Sequence, residues 1–133
     1  MNRVALFVAV GMLIASLAIA HQTAPGAAPV KANSVVWDGE VVDPQCFFLH
    51  EARGLDHVAC ATRCAKGGQG LAFLEERTGK VYPLIAKSHG RSQNEVVLPH
   101  IGKRVRVTGV VYERGQDAVL QVLSVAVLPK VSR

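Results

Sequence analysis

Residues 103–111 read KRVRVTGVV, and this stretch decides the fold class. Apolar and polar side chains alternate along it, with valines 105, 107 and 111 on one side and Arg104, Arg106 and Thr108 on the other. Strict alternation of this kind predicts a β-strand that buries one face. The glycine at 102 before this strand and the turn that follows it at 114–117 are typical of small barrels of the OB type.

Other strand-like segments surround this one. They are rich in β-branched and aromatic residues and are bounded by turn-forming residues; they span residues 35–43, 70–75, 81–85 and 118–127. Pro44 ends the first of them, and Pro83 predicts an edge or bulge position in the third. A turn at 77–80 joins the second to the third, and a short apolar segment at 96–98 precedes the strand at 103–111.

One short helix is predicted between the first and second strands. It spans residues 57–66, with Asp56 as its N-cap and Gly67 and Gly68 as its end. Residues 45–54 before it are predicted to form a loop. The fold class is therefore mostly β: a small five-stranded OB-like barrel with one short helix between the first and second strands. The usual OB helix lies between the third and fourth strands, so a sandwich-like or rearranged barrel remains an alternative.

The start of the chain predicts export. Residues 4–20 lack charge, follow Arg3, and end in Ala18-Ile19-Ala20, which has the form of a signal-peptidase site. We therefore expect a signal peptide at 1–20, a flexible linker at 21–33, the barrel domain at 34–129 and a tail at 130–133. The predicted location is the bacterial periplasm or the exterior of the cell. An uncleaved membrane anchor is the alternative for residues 1–20.

Composition narrows the class of protein further. The chain has 133 residues, enough for one domain, a formal net charge of +5 and only 5% aromatic residues. Half of the residues are hydrophobic, which excludes a disordered polymer, and three cysteines exclude a disulfide-dense miniprotein. No hydrolase signature or phosphate-binding loop occurs in the sequence, and we do not expect an enzyme.

Three cysteines and two histidines fall between positions 46 and 64: Cys46, His50, His57, Cys60 and Cys64. On the predicted helix, residues 57, 60 and 64 share one face, and the loop that carries Cys46 can fold back over that face. Thiolate and imidazole groups together suit zinc, copper(I) or an iron ion. The predicted metal ligands are Cys46, His57, Cys60 and Cys64.

A disulfide is the main alternative to a metal. In an oxidising compartment, Cys46 would pair with Cys60 or Cys64. A closed loop of about 15 residues stabilises a small domain by roughly 3 kcal/mol in the chain-entropy model. The odd number of cysteines then leaves one thiol free. Thiol redox chemistry is a third interpretation. The disulfide interpretation makes the protein a stapled module that binds another protein.

Several of these segments resemble a largely uncharacterised family of small exported bacterial domains. The resemblance covers residues 36–127 and is carried by residues 39–46 (GEVVDPQC), 54–68 (GLDHVACATRCAKGG), 79–82 (GKVY) and 102–109 (GKRVRVTG). It implies an OB-like fold and a Cys/His site, without an activity. Some similar domains place a histidine four residues after the first cysteine, which makes His50 an alternative to His57 as the nitrogen ligand.

The expected partner is a protein of the periplasm or envelope that the sequence does not identify. Binders of single-stranded nucleic acid need a basic groove with aromatic side chains for stacking. Aromatic residues are few here and the protein is expected to be exported, so nucleic acid is not expected as a ligand. Contact with a membrane is expected only through an uncleaved signal segment.

Overall fold

The computed structural model describes residues 28–129 of the chain. The expected signal peptide, the linker as far as residue 27 and the tail at 130–133 lie outside the described residues. Within them, the strands are β1 (Lys31–Val42), β2 (Ala72–Glu75), β3 (Val81–Ile85), β4 (Arg104–Arg114) and β5 (Asp117–Val127), and the helices are α1 (Pro44–His50) and α2 (Val58–Lys66). Short 3₁₀ turns occupy Leu55–His57 and Leu98–His100.

The five strands form a closed barrel, which confirms the predicted fold class. Around the barrel the order is β1-β2-β3-β5-β4, and β4 pairs again with β1. β3 and β5 run parallel, and the other neighbouring strands run antiparallel. The helical segment lies between β1 and β2, as predicted, and the connection from β3 to β4 carries a 3₁₀ turn. The closed barrel excludes the sandwich-like alternative.

β1 closes the barrel because it pairs along its two edges with two different strands. Its first part pairs with β4, from Lys31 opposite Glu113 onward, so the last three residues of the expected linker belong to this strand. Its last four residues pair with β2. At Gly39 both partners are present, and a Cβ there would lie 2.1 Å from the Leu74 carbonyl oxygen. Only glycine allows this close approach.

The barrel interior is built from the faces that the alternation predicts. Val105 and Val107 on β4 are fully buried. Arg106, which lies between them, and Thr108, which follows them, are exposed. The largest buried side chains around these valines come from the other strands and the connections: Val41, Leu71, Phe73, Val97 and Leu120. The short apolar segment before β4 thus contributes a core residue, Val97, rather than a strand.

Arg104 and Arg106 on the outer face of β4 pair with acidic residues of neighbouring segments. Arg106 donates from Nε to Asp38 on β1 at 2.6 Å, and Arg104 donates from Nε to Glu76 at 2.8 Å. Arg104 also lies 3.4 Å from Asp38. The alternating arginines therefore form a solvated ion-pair network across two strands, in which each guanidinium has a carboxylate partner.

The connection between β1 and β2 differs from the prediction in two respects. Residues 45–54 were expected to form a loop, but residues 44–50 form α1, which Asp43 caps by accepting a hydrogen bond from the Cys46 N–H. The expectation that Asp56 caps the following helix is wrong, because Asp56 lies inside the 3₁₀ turn and α2 has no side-chain cap. The predicted end of α2 at Gly67 and Gly68 is confirmed.

The turn between β2 and β3 is organised by a buried carboxylate. Glu75 is 4% exposed and accepts hydrogen bonds from the backbone N–H groups of Arg77 and Thr78, each at 2.9 Å. Burial alone raises the pKa of Glu75, but hydrogen bonds from Thr78 and Arg77 outweigh burial and hold the pKa below its usual value. The folded state therefore favours the ionised form of this group.

We expect Glu75→Gln to lower the free energy of unfolding by about 1–3 kcal/mol, because the turn loses a charged acceptor. A lowered folded-state pKa stabilises the protein above the unfolded pKa of about 4.3, and this contribution is lost as the pH falls through the folded pKa. Urea unfolding should show the difference from wild type at pH 7 and a smaller difference near pH 3. Glu76→Gln, at an exposed neighbour, is the control; an equal loss in the control would contradict the prediction.

Candidate metal centre

The structure brings together three of the four predicted metal ligands. Cys46 lies in the first turns of α1, His57 ends the 3₁₀ turn, and Cys60 lies in the first turn of α2. One ligand atom from each side chain lies within 4.8 Å of the other two, and all three residues are half-buried. Three consecutive elements between β1 and β2 thus direct two sulfurs and one imidazole nitrogen to one point.

Cys64 and His50 lie outside this group of three. Cys64 is one turn beyond Cys60 on the same face of α2, and its role as a fourth ligand stays a prediction. His50 is exposed at the end of α1 and is not a member of the group. Among the described residues, the imidazole that joins the two sulfurs is therefore that of His57.

A buried carboxylate lies beside these thiols. Asp43 is 1% exposed, and its Oδ1 accepts hydrogen bonds from the Cys46 N–H at 3.2 Å and from Nε2 of Gln69 at 2.6 Å. The second of these bonds links the residue before α1 to a residue three positions beyond the end of α2. Asp43 and Gln69 therefore hold the two ends of the helical connection together.

Two buried polar atoms around the centre have no hydrogen-bond partner within the described part of the chain: Nε2 of His57 and Oδ2 of Asp43. Both residues line the same narrow cleft beneath the connection. Buried nitrogen and oxygen atoms are nearly always paired in folded proteins, since an unpaired one costs about 1–3 kcal/mol. A cation held by the cluster is one group that can satisfy such atoms.

In the absence of a cation, the surroundings of Cys46 and Cys64 favour the protonated thiol over the thiolate. Removal from water raises the pKa of the Cys46 thiol to about 11, and the charge of Asp43 and the neighbouring Cys60 thiol add to this effect. Burial, together with the nearby Asp43 carboxylate, also raises the pKa of Cys64. A bound metal displaces thiol protons, so uptake of metal by this cluster releases protons and strengthens as the pH rises.

Sequence reasoning missed α1 and the role of Gln69. The signal for α1 was present, because an aspartate followed by proline has the pattern of an N-cap and first helical residue. Asp43 is this N-cap, and its side chain accepts a hydrogen bond from the Cys46 N–H. Gln69 carried no recognisable signal, since its bond to Asp43 spans 26 residues along the chain.

Comparison with models of protein families, with curated proteins and with solved structures finds no match for this chain.

Within residues 28–129, neither α1 nor α2 is long enough and apolar enough to cross a membrane.

We expect the Cys46 thiol of the metal-free protein to alkylate slowly at neutral pH, because only the thiolate reacts and its pKa is raised. The rate constant should increase about tenfold per pH unit and should still be rising at pH 10. Alkylation with iodoacetamide, followed by peptide mass spectrometry, measures each cysteine separately. A plateau near pH 8.5, the ordinary range of a free thiol, would contradict the described environment of Cys46.

Proposed function

We propose that this protein is an exported β-barrel domain that holds one soft metal ion through Cys46, His57 and Cys60, and that the ion fastens the helical connection to the barrel. The observation that carries the proposal is the convergence of these three ligand atoms within 4.8 Å. Each comes from a different element, so one ion bound to all three would cross-link α1, the 3₁₀ turn and α2. Export is proposed from the apolar N-terminal segment and from the family resemblance.

A structural role for the ion is supported by how little the connection packs against the core. Neither α1 nor the 3₁₀ turn has a buried residue, and α2 buries only the small side chains of Ala61 and Ala65. Burial of apolar surface is therefore a weak source of stability for residues 44–66. In small domains, structural metal ions supply stability that a limited core does not.

The donor set is typical of a soft or borderline ion. Zinc is bound by cysteine sulfur at about 2.3 Å and by histidine nitrogen at about 2.0–2.1 Å. Copper(I) also prefers thiolates, and iron accepts the same donors. The ligand atoms of Cys46, His57 and Cys60 lie within 4.8 Å of one another. Two donors on one tetrahedral zinc lie roughly 3.3–3.8 Å apart, so each pair has to approach by about 1.5 Å at most.

The proposal is tested by loading the purified, reduced full chain with zinc and measuring metal content after dialysis. Wild type should retain one equivalent, and Cys60→Ser and His57→Ala should each lose most of it, because two remaining ligands hold zinc poorly. His50→Ala is the matched control, since that imidazole lies outside the group of three, and it should retain metal. Retention of zinc by both site variants, or no retention by wild type, would overturn the proposal.

The structural role has a separate readout in stability. At a free zinc concentration about 100 times its dissociation constant, the free energy of unfolding should rise by about 2.7 kcal/mol. Hydrogen exchange of residues 44–66 should slow on loading, and chelation should reverse both effects. Zinc that binds without slowing exchange in this segment would identify the ion as cargo of a carrier rather than as a structural part.

The second candidate is a disulfide-stapled protein-interaction module. Two observations favour it: the sulfurs of Cys46 and Cys60 are near neighbours, and large apolar side chains are exposed on the same connection, with Phe48 at 70% and Leu49 at 67%. Exposed apolar side chains that lie close together are typical of surfaces that bind other proteins. Under this proposal the partner is a protein of the bacterial envelope.

A thiol count separates the two candidates. Protein purified without reductant, then denatured with a chelator, should show three titratable thiols if the cysteines hold a metal. One titratable thiol is expected if Cys46 has formed a disulfide with Cys60. Peptide mapping of the unreduced protein identifies the pair, and finding the disulfide in freshly exported protein would replace the metal proposal with the second candidate.

A further inference from the structure

We infer that Oδ2 of Asp43 is the fourth ligand of the metal centre, and that the centre is therefore a zinc site with two sulfurs, one nitrogen and one oxygen. This inference rests on the proposed function, which assigns Cys46, His57 and Cys60 to one ion. It adds a residue that the Cys/His pattern does not contain, and it selects one metal among those that the pattern allows.

The two oxygens of Asp43 have different surroundings. Oδ1 already accepts two hydrogen bonds, from the Cys46 N–H and from Gln69. Oδ2 is buried and has no hydrogen-bond partner within the described residues. The side chain is thus held in place through one oxygen while the other is left to bind something else.

The described residues provide no cation for this carboxylate. None of the ion pairs among residues 28–129 includes Asp43, although the same part of the chain pairs Asp38 and Glu75 with arginines. A buried carboxylate without a compensating charge is strongly unfavourable. A divalent ion at the adjoining cluster would compensate this charge directly.

Asp43 lies next to the group of three ligands but is not a member of it, so its carboxyl group has to move toward the ion in order to bind it. Asp43 precedes Cys46 by one helical turn, and its capping bond ties its carboxyl group to the backbone of that ligand. Asp43 and His57 line the same cleft. Each has a buried side-chain atom without a hydrogen-bond partner among the described residues, Oδ2 of Asp43 and Nε2 of His57.

The oxygen donor discriminates between metals. Zinc accepts carboxylate oxygen together with cysteine and histidine in four-coordinate sites, whereas copper(I) is selected by soft sulfur donors. A site completed by Asp43 favours zinc, and a site completed by Cys64 has a third sulfur and suits copper(I) better. In the former case the Cys64 thiol stays outside the first coordination sphere.

X-ray absorption spectroscopy of the zinc-loaded, fully reduced wild-type chain tests the ligand set without any substitution. The inference requires two sulfur and two nitrogen or oxygen neighbours around zinc. Three sulfurs and one nitrogen would overturn it and assign the fourth position to Cys64. A chain that binds no zinc refutes the proposed function itself, so the two failures are distinguishable.

Asp43→Asn tests the role of the carboxylate in solution. Asparagine is as good an N-cap as aspartate, so α1 keeps its cap while the charge and the free oxygen are lost. We expect zinc affinity, measured by competition with a chromophoric chelator, to fall by more than the roughly 10- to 100-fold that removal of an outer-shell partner costs. Copper(I) affinity, measured by competition with a copper(I) chelator, should stay within about threefold of wild type.

Glu75→Gln is the matched control, because Glu75 is a second buried carboxylate that caps backbone N–H groups, at the turn between β2 and β3. It should leave both metal affinities unchanged. Equal losses of zinc and copper(I) affinity in Asp43→Asn would show that Asp43 only positions Cys46 and would overturn the inference, as would unchanged zinc affinity. If Asp43→Asn does not fold, the sulfur count of the wild-type protein decides.

Discussion

The hydrogen bonds of Asp43 connect the barrel to the candidate metal centre. Asp43 directly follows β1, and its Oδ1 caps α1 and accepts a second bond from Gln69, beyond the end of α2. The direction in which α1 leaves the barrel, and hence the position of Cys46, depends on this carboxylate. Without it, the Cys46 sulfur would be on a segment that makes few contacts with the core.

The barrel supplies the rigidity that this arrangement needs. β1 pairs with β4 as far as Glu40 and with β2 from Gly39 to Val42, so both of its edges are paired at residues 39 and 40, shortly before the strand ends. Gly39 permits the close approach at which the strand changes partner. The helical connection has less support than the barrel, because its helices bury few side chains and leave Phe48 and Leu49 exposed. A metal ion would therefore stabilise the part of the molecule in which packing contributes least.

The two arginines on the outer face of β4 are explained by the acidic residues that lie beside them in the fold. The outer face of β4 presents alternating arginines, a pattern that by itself resembles a phosphate-binding strand. Arg104 and Arg106 are instead engaged by Asp38 and Glu76, which neighbouring segments bring alongside. Exposed pairs of this kind contribute little stability individually, and their effect here is to balance charge across two strands.

The alternation at 103–111 determined β4 correctly, because a period of two along a strand is a local property that tertiary contacts rarely overturn. The barrel and the position of the helical segment followed from the order of such patterns. Residues 45–54 were assigned to a loop, although Asp43 and Pro44 have the pattern of a helix start. Asp56 was chosen as a cap on local grounds, and the 3₁₀ turn that contains it shifted the start of α2.

The sequence alone supplied the candidate metal ligands, since helical spacing places His57, Cys60 and Cys64 on one face and Cys46 lies on the segment just before them. Tertiary structure decided which of them meet, because the distance between a ligand on α1 and one on α2 depends on how two separate elements pack. It also decided that Asp43 has one saturated and one free oxygen. That difference arises from Gln69, 26 residues away along the chain, and a contact of this range leaves no periodic pattern in a sequence.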